Sequence, residues 1–138
     1  MVNTETERLQ LQLQGGTETI LLVDDEESLR LVVTHFLSEE LGYNILPAGS
    51  AEEALSLIES YSGTIDLLLT DVLLPGMSGS ELAAKLLSAH PNLKIMYISG
   101  YPDHTLEIHG VSGSDEMLQK PFTIKSLAAK LREILDKN

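Results

Sequence analysis

The chain has 138 residues, enough for one domain with a real core and too few for two ordinary ones, and its 43% hydrophobic content is that of a globular protein. It has no cysteine, which excludes disulfides and thiolate metal sites, and its net charge of −12 disfavours phosphate backbones and anionic lipid as direct partners. No apolar run approaches the ~20 residues of a membrane span, and the N-terminus shows no signal-peptide pattern, so a cytoplasmic domain without membrane contact is expected. Cations and basic protein surfaces are the partners this charge suits.

Residues 1–18 differ from the rest. Thr4-Glu5-Thr6-Glu7-Arg8 is polar, Leu9-Gln10-Leu11-Gln12-Leu13-Gln14 alternates, and Gly15-Gly16 punctuates. The alternation has no partner hairpin, so the segment reads as a linker or tail ahead of a domain at 19–138, and a linker implies an upstream neighbour.

From Thr19 the pattern alternates strand and helix. Ile20-Leu21-Leu22-Val23 is a first strand ending in Asp24-Asp25. Residues 27–41 place Leu29, Val32, Val33, Phe36 and Leu37 on one helical face. Residues 43–48 form a weakly patterned strand, and Pro47, which cannot donate to a ladder, makes it an edge. Ser50 with Glu53 is a capping-box signal for a helix turning Ala51, Ala54, Leu55 and Ile58 inward. After Gly63 the run 65–70 ends in Asp71. Ser78 with Glu81 repeats the capping signal for a helix with Leu82, Leu86 and Leu87 apolar, ended by Pro91-Asn92. Ile95-Met96-Tyr97-Ile98 leads to Ser99, residues 102–110 hold a weakly patterned helix, and Met117-Leu118-Gln119 leads to Lys120-Pro121. The last helix, 124–136, is the clearest, with Ile124, Leu127, Ala128, Leu131, Ile134 and Leu135.

Five strands alternating with five helices predict an α/β fold. The first, third and fourth strands are almost continuously apolar, as parallel strands covered on both faces are. Right-handed crossovers then give a doubly wound five-stranded sheet, whose ligands bind beyond the carboxyl ends of the strands. Asp24, Asp25, Asp71, Ser99 and Lys120 are all expected at that edge.

Two unit charges ~4 Å apart repel by roughly 4 kcal/mol at an effective dielectric near 20, so three clustered carboxylates require protons or a cation. Hard oxygen ligands suit Mg²⁺, which makes Asp24, Asp25 and Asp71 a candidate divalent-metal site. Singly, an Asp-Asp pair after a strand is more often a helix N-cap, Lys120 a solvated lysine and Ser99 a turn hydroxyl. Together at one sheet edge they point to phosphoryl chemistry. An aspartate can attack phosphorus to form an acyl phosphate, and Asp71 has candidate cations in a metal and Lys120 and a donor in Ser99 to neutralise the phosphoryl oxygens.

Four motifs, Val23-Asp24-Asp25-Glu26, the stretch from Asp71 through Pro75-Gly76-Met77-Ser78 to Gly79, Ser99-Gly100-Tyr101, and Lys120-Pro121-Phe122, resemble the receiver domain of two-component response regulators over about residues 19–136. The resemblance implies a flavodoxin-like strand order 2-1-3-4-5. It also implies Asp71 as phosphoacceptor, Asp25 as a direct Mg²⁺ ligand, Asp24 as a ligand largely through water, and the Leu73 backbone carbonyl as a further ligand. Ser99 would hydrogen-bond the phosphoryl group, Lys120 would pair with it, and Lys120-Pro121 would be cis. The donor would be a phosphohistidine on a histidine kinase or a histidine phosphotransfer protein. Such a domain catalyses its own phosphorylation and dephosphorylation, and a homodimer through the fourth-helix face is open to it. The chain departs from the family at Met117, where an aromatic switch residue is usual; Met117 can still repack, and Tyr101 could shield or gate the site instead. The phrasing around Gly76-Met77-Ser78-Gly79, Ser99-Gly100-Tyr101 and Gln119-Lys120-Pro121-Phe122-Thr123 is most similar to receivers at the C-terminus of hybrid sensor histidine kinases; a stand-alone response regulator is the alternative.

Three rivals fit less well. An aspartate-nucleophile phosphatase wants a second acid two residues past the nucleophile, where this chain has Leu73. A nucleotide or flavin binder wants a Gly- or Ser/Thr-rich loop after the first strand, where this chain has Asp24-Asp25-Glu26-Glu27. A non-catalytic scaffold has no need of this set of strand-end residues. None of His35, His90, His104 and His109 is assigned to chemistry; the last pair is five apart, not the i,i+4 spacing of a helical metal pair.

Overall fold

Leu, Ile and Val fill the strands, and in the computed structural model, which describes residues 14–100, 110–111 and 115–137, they form one parallel sheet. Its strands are β1 (Thr19–Val23), β2 (Asn44–Ala48), β3 (Leu67–Asp71), β4 (Lys94–Ser99) and β5 (Met117–Gln119), in the order β2-β1-β3-β4-β5. All four pairings are parallel. Four helices among the described residues cover it: α1 (Glu27–His35), α2 (Ala51–Ser60), α3 (Gly79–Ala89) and α4 (Ile124–Leu135). The expected helix at 102–110 falls outside the described residues apart from Gly110.

The two-residue alternation of each strand divides the core. Leu21, Val23, Leu68 and Tyr97 face α2 and α3, packing with Ala51, Ala54, Leu82 and Leu86. Ile20, Leu22, Leu67, Leu69, Met96 and Ile98 face α1 and α4, packing with Val33, Leu37, Leu127 and Leu131. Every residue of β1 and β3 is buried, which explains why their sequences read as continuous apolar runs. Pro47 lies on the edge strand, opposite Leu22.

Ser50 and Ser78 cap α2 and α3 by accepting from the backbone N–H of Glu53 and Glu81, each at 3.1 Å. Thr123 and Ser126 form a reciprocal capping box at α4. The α1 region departs from one continuous helix over 27–41: Phe36–Glu40 widens into a π-helical turn. Ser38 Oγ donates to the Thr34 carbonyl at 2.7 Å, so a side chain competes for an acceptor of the helical ladder. Val32 does not join the buried face; it is 58% exposed and Leu31 61%. The stripe that meets the sheet carries Leu29, Val33, Phe36 and Leu37, and Val32 falls at its solvent margin. Between β3 and α3 a hairpin absent from the sequence reading pairs Leu73–Leu74 with Met77–Ser78 through Pro75-Gly76, with Gly76 at φ +79°.

The amino ends of the strands are tied down by two cations. Lys94 Nζ donates to the Ile134 and Leu135 carbonyls at 2.8 and 3.1 Å and also to that of Lys137, satisfying the last turn of α4. Arg132 pairs with Glu18 at 2.9 Å and with Asp136, and donates to the Gly15 carbonyl at 3.4 Å. The entering chain is held close here: Gly16 N–H donates to Leu41 O at 3.0 Å, and a Cβ on Gly15 would lie 1.9 Å from that oxygen.

Burial works against the Glu18 charge, yet Arg132 holds its carboxyl below the usual value. A depressed acid contributes stability above its unfolded pKa and loses it as pH falls through the folded one. Glu18→Gln should therefore cost up to about 1 kcal/mol at neutral pH. The difference from the unmodified protein should vanish on acidification, as read by urea unfolding at each pH.

Candidate functional site

The strand register brings the tips together. Val23 lies beside Thr70, so Asp24 and Asp71 end neighbouring strands at one level. Asp71 lies beside Ile98 and Ser99 beside Gln119, which places Ser99 and Lys120 one step further along the same edge. Carboxylate oxygens of Asp24, Asp25 and Asp71 lie within 4.8 Å of one another. Lys120 Nζ reaches Asp71 Oδ2 at 3.0 Å and Asp24 Oδ2 at 3.4 Å. An open depression of about 410 Å³ exposes the group, walled by Asp25, Asp71, Leu73, Pro75, Gly100 and Lys120.

The carboxylates differ in environment. Asp24 is buried, Asp25 exposed and Asp71 only 8% exposed. Asp24 Oδ1 accepts from the Glu26 N–H at 2.8 Å, while its buried Oδ2 faces Lys120 without a hydrogen-bond donor. Burial first, and then the Asp71 charge, raise the Asp24 carboxyl above its ordinary value, against the Glu26 amide and Lys120. Burial also opposes the Lys120 charge, but Asp71 and Asp24 outweigh it and hold the ammonium above its usual pKa. Three carboxylates against one ammonium leave local charge uncompensated. A buried oxygen without a donor and an all-oxygen donor set fit a hard divalent cation.

The backbone around Asp71 is crowded. Asp71 Oδ1 accepts from the Leu73 N–H at 3.3 Å, its carbonyl accepts from Thr70 Oγ1 at 3.0 Å, and Gly79 N–H donates to Val72 O at 2.8 Å. A Cβ on Gly79 would stand 2.2 Å from the Asp71 carbonyl oxygen. Only glycine lets α3 start this close to the acidic strand end.

Ser99 is fully buried at the end of β4, and its carbonyl accepts from Lys120 N–H at 2.7 Å. The Lys120-Pro121 bond is cis. Met117 is half-buried, in register with Tyr97 and packed on the α2–α3 side of the core. Burial, and then the Asp115 charge, push the Tyr97 hydroxyl up to about 12. Tyr101 lies outside the described residues, as do His104 and His109. In the sequence Gly79 stands only as the end of a motif, and a helix-start pattern does not reveal its close approach to Asp71. Sequence reasoning missed Arg30, whose NH1 donates to the Asp24 carbonyl at 2.6 Å.

The response regulator receiver domain family matches residues 20–132. The chain belongs to this family. It is 34% identical over 124 residues to the sensor kinase CckA of Brucella abortus (strain 2308), covering 89% of this chain and 13% of that protein. It is also 34% identical over 115 residues to the transcriptional regulatory protein YvrH of Bacillus subtilis (strain 168), covering 83% and 47%. The crystal structure of the receiver domain of the hybrid histidine kinase CckA superposes with a TM-score of 0.71 at 36% identity, covering 86% of this chain and 99% of that one. This is a receiver domain of two-component signalling with the flavodoxin-like α/β fold, and it spans less than two thirds of either curated relative. No helix among the described residues is long and apolar enough to cross a membrane.

Gly79→Ala should destabilise the domain by about 1–3 kcal/mol through overpacking. In amide spectra its largest shifts should fall at Thr70–Leu73, around the Asp71 carbonyl, not along the solvent face of α3.

Proposed function

We propose that this domain accepts a phosphoryl group on Asp71 from a phosphohistidine, in a Mg²⁺-dependent reaction. The observation that carries this reading is Asp71 itself: a carboxylate lining an open depression, with two further carboxylates within 4.8 Å and Lys120 Nζ at 3.0 Å. In the transfer, an Asp71 carboxylate oxygen forms a bond to phosphorus as the phosphorus–nitrogen bond of the donor breaks, and the leaving imidazole keeps the electron pair and takes up a proton. Bound Mg²⁺ supplies charge that offsets the phosphoryl oxygens. Asp24 and Asp25 would hold it with Asp71, and the Leu73 carbonyl would complete the protein ligands. Lys120 pairs with Asp71 before transfer and is placed to pair with a phosphoryl oxygen afterwards. Ser99 would donate its hydroxyl to the same group. Met117, and Tyr101 beyond the described residues, are the remaining candidates for a switch near it.

The donor is a histidine kinase or a histidine phosphotransfer protein, and the reading places the domain in the cytoplasm. The likeness to CckA supports a hybrid sensor histidine kinase as the parent chain. A protein donor must bring phosphorus to Asp71 past the wall that includes Asp25, two residues before α1. The exposed Leu31 and Val32 lie along that helix and offer apolar area for it to bury.

Incubation with acetyl phosphate and Mg²⁺ should add one phosphoryl mass that hydroxylamine removes. The gain should be absent without Mg²⁺ and in Asp71→Asn; labelling of Asp71→Asn at the unmodified stoichiometry would overturn the assignment. The double variant Leu31→Ser/Val32→Ser should slow transfer from a phosphorylated histidine phosphotransfer protein by roughly tenfold, the scale of one or two buried methylenes. Labelling by acetyl phosphate should change far less.

A further inference from the structure

Arg30 is a cation beside an acidic turn. It is the fourth residue of α1, in the first turn, where the helix dipole disfavours a cation. Its side chain leans back toward the helix N-terminus, the direction long helical side chains take. There NH1 donates to the Asp24 carbonyl at 2.6 Å, a short charge-assisted hydrogen bond. That carbonyl belongs to the peptide joining Asp24 to Asp25, so the bond grips the link between two of the three carboxylates.

The same turn is held at two further points. Asp24 N–H donates to Ala48 O on the edge strand at 3.1 Å, and Glu26 N–H donates to Asp24 Oδ1 at 2.8 Å. Gly49, which follows Ala48, leaves room for the guanidinium: a Cβ there would lie 3.2 Å from Arg30 NH1. The like charges of the triad repel, and the one ammonium of Lys120, shared between Asp24 and Asp71, offsets only part of that repulsion. The guanidinium adds a hold on the turn without occupying a carboxylate oxygen of the triad.

We propose that Arg30 is a positioning residue for the cation site: by holding the Asp24–Asp25 peptide it keeps both carboxylates within reach of one ion shared with Asp71. This rests on the reading of the triad as a Mg²⁺ site. It has a sign that separates it from simple electrostatics. Removing a nearby cation, with nothing else changed, tightens Mg²⁺ binding; losing the hold on the turn weakens it. Outer-shell hydrogen bonds of this kind are worth roughly tenfold or more in metal affinity.

The test is a calorimetric Mg²⁺ titration of the whole chain, unmodified and as Arg30→Met and Arg30→Lys, with urea unfolding to establish that each is folded and amide exchange at Glu26 as a metal-free readout. Arg30→Met should weaken Mg²⁺ binding roughly tenfold and speed exchange of the Glu26 amide. Arg30→Lys, which keeps a charged donor, should recover most of both. Unchanged or tighter binding by Arg30→Met, or equal losses in the two variants, would overturn the role of Arg30 while leaving the metal site standing. No Mg²⁺ binding by the unmodified protein would instead overturn the metal reading, and the proposal with it.

Discussion

Repulsion among Asp24, Asp25 and Asp71 is the constraint around which this end of the molecule is arranged. Three carboxylates with oxygens within 4.8 Å of one another do not assemble spontaneously. The fold forces them together by burying β1 and β3 completely, so that side-by-side pairing of Val23 with Thr70 leaves both strand ends at one level. Hydrophobic burial along two strands is the source of the free energy, and the acidic edge is where part of it is stored. The raised Asp24 carboxyl is one expression of that storage, and the buried Oδ2 without a hydrogen-bond donor is another.

Stabilising polar contacts concentrate at the opposite end. Lys94 closes the carbonyls of the last turn of α4, and Arg132 ties that helix to Glu18 and Gly15 at the chain entry. Neither cation adds charge to the acidic depression. The sheet thus separates its two ends: the amino ends of the strands are stitched to the terminal helix, while the carboxyl ends are left open and electrostatically unsatisfied. That imbalance gives the acidic end an affinity for cations that a fully compensated cluster would lack.

Strands β1, β3 and β4 were legible because they are buried over most or all of their length, which makes each a nearly continuous apolar run leading to a polar residue. Pro47 marked the edge strand, and Ser50 and Ser78 marked helix starts, for reasons that are local to a few residues. Asp71, Ser99 and Lys120 could be placed at one edge because topology alone brings parallel strand ends together. What could not be read depends on contacts distant in sequence. Val32 has the right chemistry for the core, yet the width of the stripe that meets the sheet leaves it in solvent. The π-helical turn at Phe36–Glu40, where Ser38 Oγ also bonds the Thr34 carbonyl, has no signature in the apolar periodicity. Gly79 looks like any residue at a helix start until the Asp71 carbonyl is seen 2.2 Å from where its Cβ would be.

Arg30 shows how a residue can be both visible and unreadable. A cation in the first turn of a helix is a local anomaly that the sequence displays openly, but its explanation lies six residues back, in a carbonyl whose direction only the folded turn defines. The anomaly also has a logic. The N-terminal end of α1 carries Glu26 and Glu27 and adjoins Asp24 and Asp25, so the field there is set by carboxylates more than by the helix dipole, which amounts to only about half a charge. In that field a guanidinium is favoured. By bonding to backbone and not to a carboxylate oxygen, it holds the turn and leaves the carboxylate oxygens unoccupied by its guanidinium.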